Sequence, residues 1–231
     1  MKISEKGLYL GYIIGAIILS MVPFVSLPFN WLETYFHEIS HGLAALATGG
    51  QVARIELYLT GGGKCFTVGG WSGVISFAGY AGAILWGAAI YLGAQASGTS
   101  SRWFAIVMSG LIVVSAVLWA RNISTIIILI ILATIMYASF RYVWGNVFPR
   151  IMEFTGIYVL VSAVHSPLNL IDGRHRGDGS ALSELTYIPE IIWVAIWIAL
   201  GVVALIGVWR LHEKQESMSE NQARIVTPEN L

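Results

Sequence analysis

The sequence predicts an all-α polytopic membrane protein of about six to seven transmembrane helices, with a small β-hairpin after its second helix. Three observations carry that prediction. Hydrophobic residues fill 56% of the 231 positions and charged residues only 11%, less than half the charged share of ordinary soluble domains. The mean hydropathy is +0.72. Several apolar runs have the length that crosses about 30 Å of hydrocarbon at 1.5 Å per residue. Thirteen Lys and Arg balance thirteen Asp and Glu, which leaves no positive excess for a phosphate backbone and excludes nucleic-acid binding. The single cysteine, Cys65, forms no internal disulfide and leaves the compartment undecided.

Taken in order, the first expected span is Leu8 to Leu27, uncharged and preceded by Lys2 and Lys6. It ends in Pro23, Phe24, Pro28 and Phe29 instead of a small-residue cleavage site, so it is read as uncleaved. Trp31 to Thr48 follows as a second helix, stopped by Gly49-Gly50. It is apolar yet carries Glu33, His37, Glu38 and His41, so it must face protein or a cavity and not lipid. From Gln51 to Trp71 the apolar residues space out around Gly61-Gly62-Gly63, the pattern of a hairpin. Five further spans are expected at Gly73 to Gly93, Trp103 to Leu118, Ile123 to Phe140, Ile151 to Ile171 and Ile188 to Trp209. Ala78, Gly79, Ala81, Gly82 and Ala83 predict close helix packing in the third span. Residues 1–211 form one membrane domain on this reading, and the polar tail from His212 to Leu231 is expected to be disordered. Basic residues divide almost evenly between the two sides, which leaves orientation open.

The chemistry lies in His37-Glu38-Ile39-Ser40-His41. Residues four apart share a helix face, so both imidazoles reach one metal ion, and Glu38 beside them can take a proton from metal-bound water. An ionisable residue at mid-bilayer costs at least about 2.5 kcal/mol, so three within five residues call for a compensating interaction such as metal coordination. A catalytic zinc usually has three protein ligands, and the remaining donors in later spans are His165, Asp172, His175 and Asp178. A continuous sixth helix puts His165 at the depth of His37 and His41, with Asp172 about 10 Å further along. Unwinding at Pro167 and Gly173 would bring Asp172 back toward the metal instead, so the residues alone leave His165, Asp172 and Asp178 open as the third donor.

With these residues in view, the chain resembles the site-2 protease family of intramembrane zinc metalloproteases. The likeness rests on His37 to His41, the Gly-rich hairpin after it, and Leu170-Ile171-Asp172-Gly173. The run Ser76 to Gly82 and the late Asp178 look closest to its small bacterial M50B-like branch. The resemblance implies that His37 and His41 bind zinc, Glu38 is the general base and Asp172 supplies the third ligand, ahead of His165 and Asp178. It also implies a bacterial cell membrane and a membrane protein or peptide as substrate. Within the late motif Pro167 matches, whereas Val164 stands where the family has Asn and Ile171 where it has Leu; His165 or Asn169 could replace that Asn. Two other functions use the same polar cluster: a cation-transporting membrane protein and a non-catalytic scaffold. An HExxH with its own catalytic-type Glu argues against transport. The hairpin edge offers a strand to which an extended substrate can add.

Overall fold

The computed structural model describes residues 5–96, 98–142, 145, 147–174 and 176–226. It is mostly helical, with one two-stranded antiparallel sheet. Helix α1 (Glu5–Ser20) leads through a turn to α2 (Leu27–Ala47), with Pro28 at its start. Strands β1 (Gln51–Leu57) and β2 (Gly63–Val68) follow, then α3 (Ser72–Gln95), α4 (Gly98–Trp119) and α5 (Ile123–Tyr142). Helix α6 (Val147–His165) runs into a 3₁₀ segment, Ser166–Leu170, where Pro167 takes the second position. An exposed loop then reaches α7 (Asp178–Thr186) and α8 (Glu190–Val226).

Among the described residues, four helices are long and apolar enough to cross a bilayer: Ser72–Gln95, Ser101–Trp119, Val147–Leu170 and Glu190–Lys214. Lys6–Ser20 and Ile123–Ser139 are apolar but shorter. Three elements depart from expectation: first, α1 stops at Ser20 and a turn over residues 21–26 follows, so Leu8 to Leu27 is not one span. The nine-residue α7 was not foreseen, because its sequence is too polar and short to stand out from a loop; only Leu182 anchors it in the core. Helix α8 continues past Trp209 to Val226, so the segment from His212, expected to be disordered, is helical to that point. Its end, 227–231, lies outside the described residues.

Helix α2 is enclosed, as its charges demand. Tyr35, Phe36 and Ile39 have no exposure at all, and Glu38 and His41 are buried with them. Four of its neighbours are tied to it by hydrogen bonds, the glue that joins helices where the hydrophobic effect does not. Tyr35 and Ser115 link it to α4 at 2.9 Å. The Tyr158 hydroxyl of α6 donates to Asn30 Oδ1 at 2.7 Å. Thr34 donates to the Gly61 carbonyl of the hairpin at 2.6 Å, and Trp86 of α3 donates to Ser40 at 3.2 Å. On its far side β1 is covered: the Leu57 N–H donates to Thr125 of α5 at 2.6 Å. Among the described residues β2 has no second strand partner, and Gly63 at its start lies against Thr34 and Glu38 of α2.

Helices α3 and α6 cross where Gly87 and Gly156 meet. A Cβ on Gly156 would lie 2.6 Å from the Tyr91 backbone nitrogen, and one on Gly87 would lie 3.0 Å from the Leu160 nitrogen. Backbone cannot yield as a side-chain tip can. Gly156→Ala should therefore destabilise the fold by about 1–3 kcal/mol, the usual cost of overpacking, seen as a lower melting temperature in detergent. Gly110→Ala is the control, because a Cβ there meets nothing within 4 Å. Equal melting temperatures for the two variants would contradict this account of the crossing.

Candidate metal centre

His37 and His41 project from the same face of α2, and their Nε2 atoms lie 3.0 Å apart. Asp178, the first residue of α7, brings Oδ2 to 3.1 Å from His37 Nε2 and 3.3 Å from His41 Nε2. All three ligand atoms lie within 4.8 Å of one another. Donors about 2.0–2.1 Å from a tetrahedral ion stand about 3.3 Å apart, so this triangle has the size such an ion requires. The donor chemistry agrees. His41 Nδ1 donates to the Ile75 carbonyl of α3 at 2.7 Å, and a carbonyl only accepts, so in the neutral ring Nε2 carries the lone pair. Burial pushes the Asp178 carboxyl up, but hydrogen bonds and positive charge from the two imidazoles, when protonated, pull it further down.

Gly79 makes room for this arrangement. A Cβ there would sit 2.5 Å from His41 Cε1 and Nε2 and 2.6 Å from His37 Cε1. The small residues expected to serve helix packing thus do two things: Gly82 lets α3 approach Ser40, while Gly79 leaves space for the imidazole rings. Trp71 to Ser76 start α3 alongside the site, which is how Ile75 comes to orient His41.

Glu38 stands between two cavities. One, of about 430 Å³, is lined by Glu38, His41, Lys64, Cys65, Phe66 and Ser72. The other, of about 220 Å³, is lined by Glu33, His37, Glu38, Gly62, Tyr80 and Asn169. The Glu38 side chain packs against Gly63, where a Cβ would come within 2.8 Å of Glu38 Cγ. Strand β2 is therefore a wall common to both cavities. Cys65 lines the larger cavity but is outside the group of converging donors, and burial with the nearby Glu38 pushes its thiol up to about 12.

The structure does not bring Asp172 to the two imidazoles. Its carboxylate accepts the Arg174 backbone N–H at 2.8 Å and pairs with the Arg174 side chain at 3.5 Å on an exposed loop. His165 is exposed at the end of α6, and His175 lies outside the described residues. The unwinding expected at Pro167 does occur, but the chain then runs through positive-φ turns at Gly173 and Gly177, and the carboxylate returned to α2 is that of Asp178. Asn169 reaches the smaller cavity, whereas His165 does not line it. Sequence reasoning missed Tyr80 as a cavity residue, because a tyrosine in an apolar run has the pattern of ordinary core.

An HExxH helix enclosed by long apolar helices, with a third donor from a later segment, defines a membrane protein with a metallopeptidase type of centre. Comparison agrees with that class: the family model described as Peptidase M50B-like matches residues 10–208. The chain belongs to this peptidase family. No curated protein and no solved structure matches the chain.

Gly79→Ala should lower divalent-metal content severalfold while the helical circular dichroism is retained, because the added methyl occupies the space of both rings. Full metal content in that variant, measured by plasma mass spectrometry, would show that the rings do not need this gap.

Proposed function

We propose that the chain is an intramembrane zinc metalloendopeptidase of six to seven spans, embedded in a bacterial cell membrane and acting on membrane-associated proteins or peptides. One observation carries this reading: in a member of a peptidase family, two imidazoles and a carboxylate converge to within 3.3 Å beside a buried glutamate. Two His and one carboxylate, with a fourth position left open, is a usual donor set for catalytic zinc. When bound, zinc polarises the scissile carbonyl and makes water ionisable near neutral pH. In the proposal Asp178 supplies the third ligand in place of Asp172.

The remaining roles fall to the chain. Glu38 accepts the proton that water loses on attack and delivers it to the amide nitrogen as the peptide bond breaks. Its burial keeps bulk water from competing for that proton. Ile75 holds His41 in its tautomer. The outer edge of β2 aligns an extended substrate by main-chain hydrogen bonds and carries it past Glu38 from one cavity to the other. A transmembrane helix must unwind before it can lie there, since a helix has no free backbone groups to offer a strand. Residues 1–211 act as one domain in this reading.

Purified full-length protein, assayed for zinc and for cleavage of a single-span substrate, tests the proposal. Glu38→Gln should lose cleavage by at least about 10²-fold with zinc content near wild type, since the amide keeps the shape but cannot take the proton. Retained cleavage would contradict Glu38 as base. Asp178→Asn should cost more zinc than Asp172→Asn or His165→Ala, because a neutral amide is a weaker ligand for a dication. A larger loss at Asp172 or His165 would overturn Asp178 as ligand.

A further inference from the structure

Tyr80 combines three properties that a packing residue does not need. It is 8% exposed, and its ring meets the His37 ring edge to face at 4.5 Å between centroids. Its other side is fixed by Trp197 at 4.7 Å, itself fully buried and anchored by a hydrogen bond from Nε1 to the Phe77 carbonyl at 3.2 Å. Yet among the described residues the Tyr80 hydroxyl has no hydrogen-bond partner, and the residue lines the 220 Å³ cavity that it shares with His37 and Glu38. A buried phenol usually finds a partner, so a rigid one left open to a polar cavity has its donor available for whatever enters.

We propose that Tyr80 is a catalytic residue, the hydrogen-bond donor that stabilises negative charge on the scissile carbonyl oxygen. The inference rests on the peptidase reading above and deepens it. In the step it serves, water oxygen bonds to the carbonyl carbon, the π electrons of the carbonyl move to its oxygen, and the water proton passes to Glu38. The Tyr80 O–H hydrogen-bonds to that oxygen and keeps its proton throughout. The C=O bond then re-forms, the C–N bond breaks, and the nitrogen takes the proton from Glu38. A donor fixed in advance between His37 and Trp197 pays no reorganisation cost when the charge appears, which is the condition under which such donors matter most. The path of β2 supports the placement: its first residue, Gly63, lies on the cavity that Tyr80 lines, so a substrate paired with this strand presents its backbone to the phenol.

The test is Tyr80→Phe in full-length protein, because the ring contacts with His37 and Trp197 survive and only the hydroxyl is lost. Cleavage of a single-span substrate should show kcat lower by roughly 10²-fold with KM unchanged, as expected for one oxyanion donor. Zinc content should equal wild type. A second readout needs no turnover: a phosphinic peptide, whose tetrahedral oxyanion mimics the transition state, should bind the variant at least about 10-fold more weakly. Unchanged kcat and unchanged phosphinate affinity would overturn the proposal. So would a fall in kcat accompanied by zinc loss, which would make Tyr80 a support for His37 instead. If the wild type neither cleaves nor binds the phosphinate, the peptidase reading itself falls and this one falls with it.

Discussion

Two imidazole nitrogens and a carboxylate oxygen lie 3.0 to 3.3 Å apart inside the protein, a spacing met by a shared proton or by a bound cation. This constraint governs much of the architecture. It explains why α2, the most polar of the central helices, is also among the most enclosed, with hydrogen bonds to α3, α4, α6 and the hairpin. It explains why α3 is glycine at position 79, where any side chain would occupy the space of the rings. It also explains why a nine-residue helix, α7, follows an exposed loop: its first residue is the carboxylate that completes the group.

A second buried carboxylate makes the contrast clear. Glu153 of α6 accepts hydrogen bonds from Tyr12 and Arg150, each at 3.0 Å. Its charge is met by a protein cation, so the polar cost within apolar helices is settled locally and no ligand is needed. No Lys or Arg pairs with the His37, His41 and Asp178 group among the described residues, and His37 and His41 line cavities on either side of Glu38. The difference between a structural ion pair and a candidate centre lies in what balances the charge.

Much of this was legible in the sequence. The HExxH spacing set two donors on one face, the run of charges forced α2 inside, and Gly49-Gly50 and Gly61 to Gly63 marked the helix end and the hairpin turn. The third donor was not legible in the same way. Helical periodicity carries a position along a continuous helix, but at Pro167 the chain leaves the helix and passes through a 3₁₀ segment and two positive-φ glycines. Beyond that point, backbone turns decide which of Asp172 and Asp178 faces α2, and side-chain spacing holds no record of them. Asp172 instead closes a local turn with Arg174, as aspartate before glycine commonly does. For a similar reason α7 was missed: a short polar helix has too few turns to show a period. Tyr80 was hidden for the opposite reason, since its ring does pack like core and only its hydroxyl differs.

The central claim is that His37, His41 and Asp178 hold one zinc ion. Zinc-edge X-ray absorption on the purified full-length protein tests it directly. The account predicts a shell of nitrogen and oxygen only, at about 2.0–2.1 Å, with the scattering of two imidazoles and no sulfur. A sulfur neighbour would place Cys65 in the site, and a third imidazole would place His165 or another histidine there. Either spectrum, or protein that takes up no zinc at all, would contradict it.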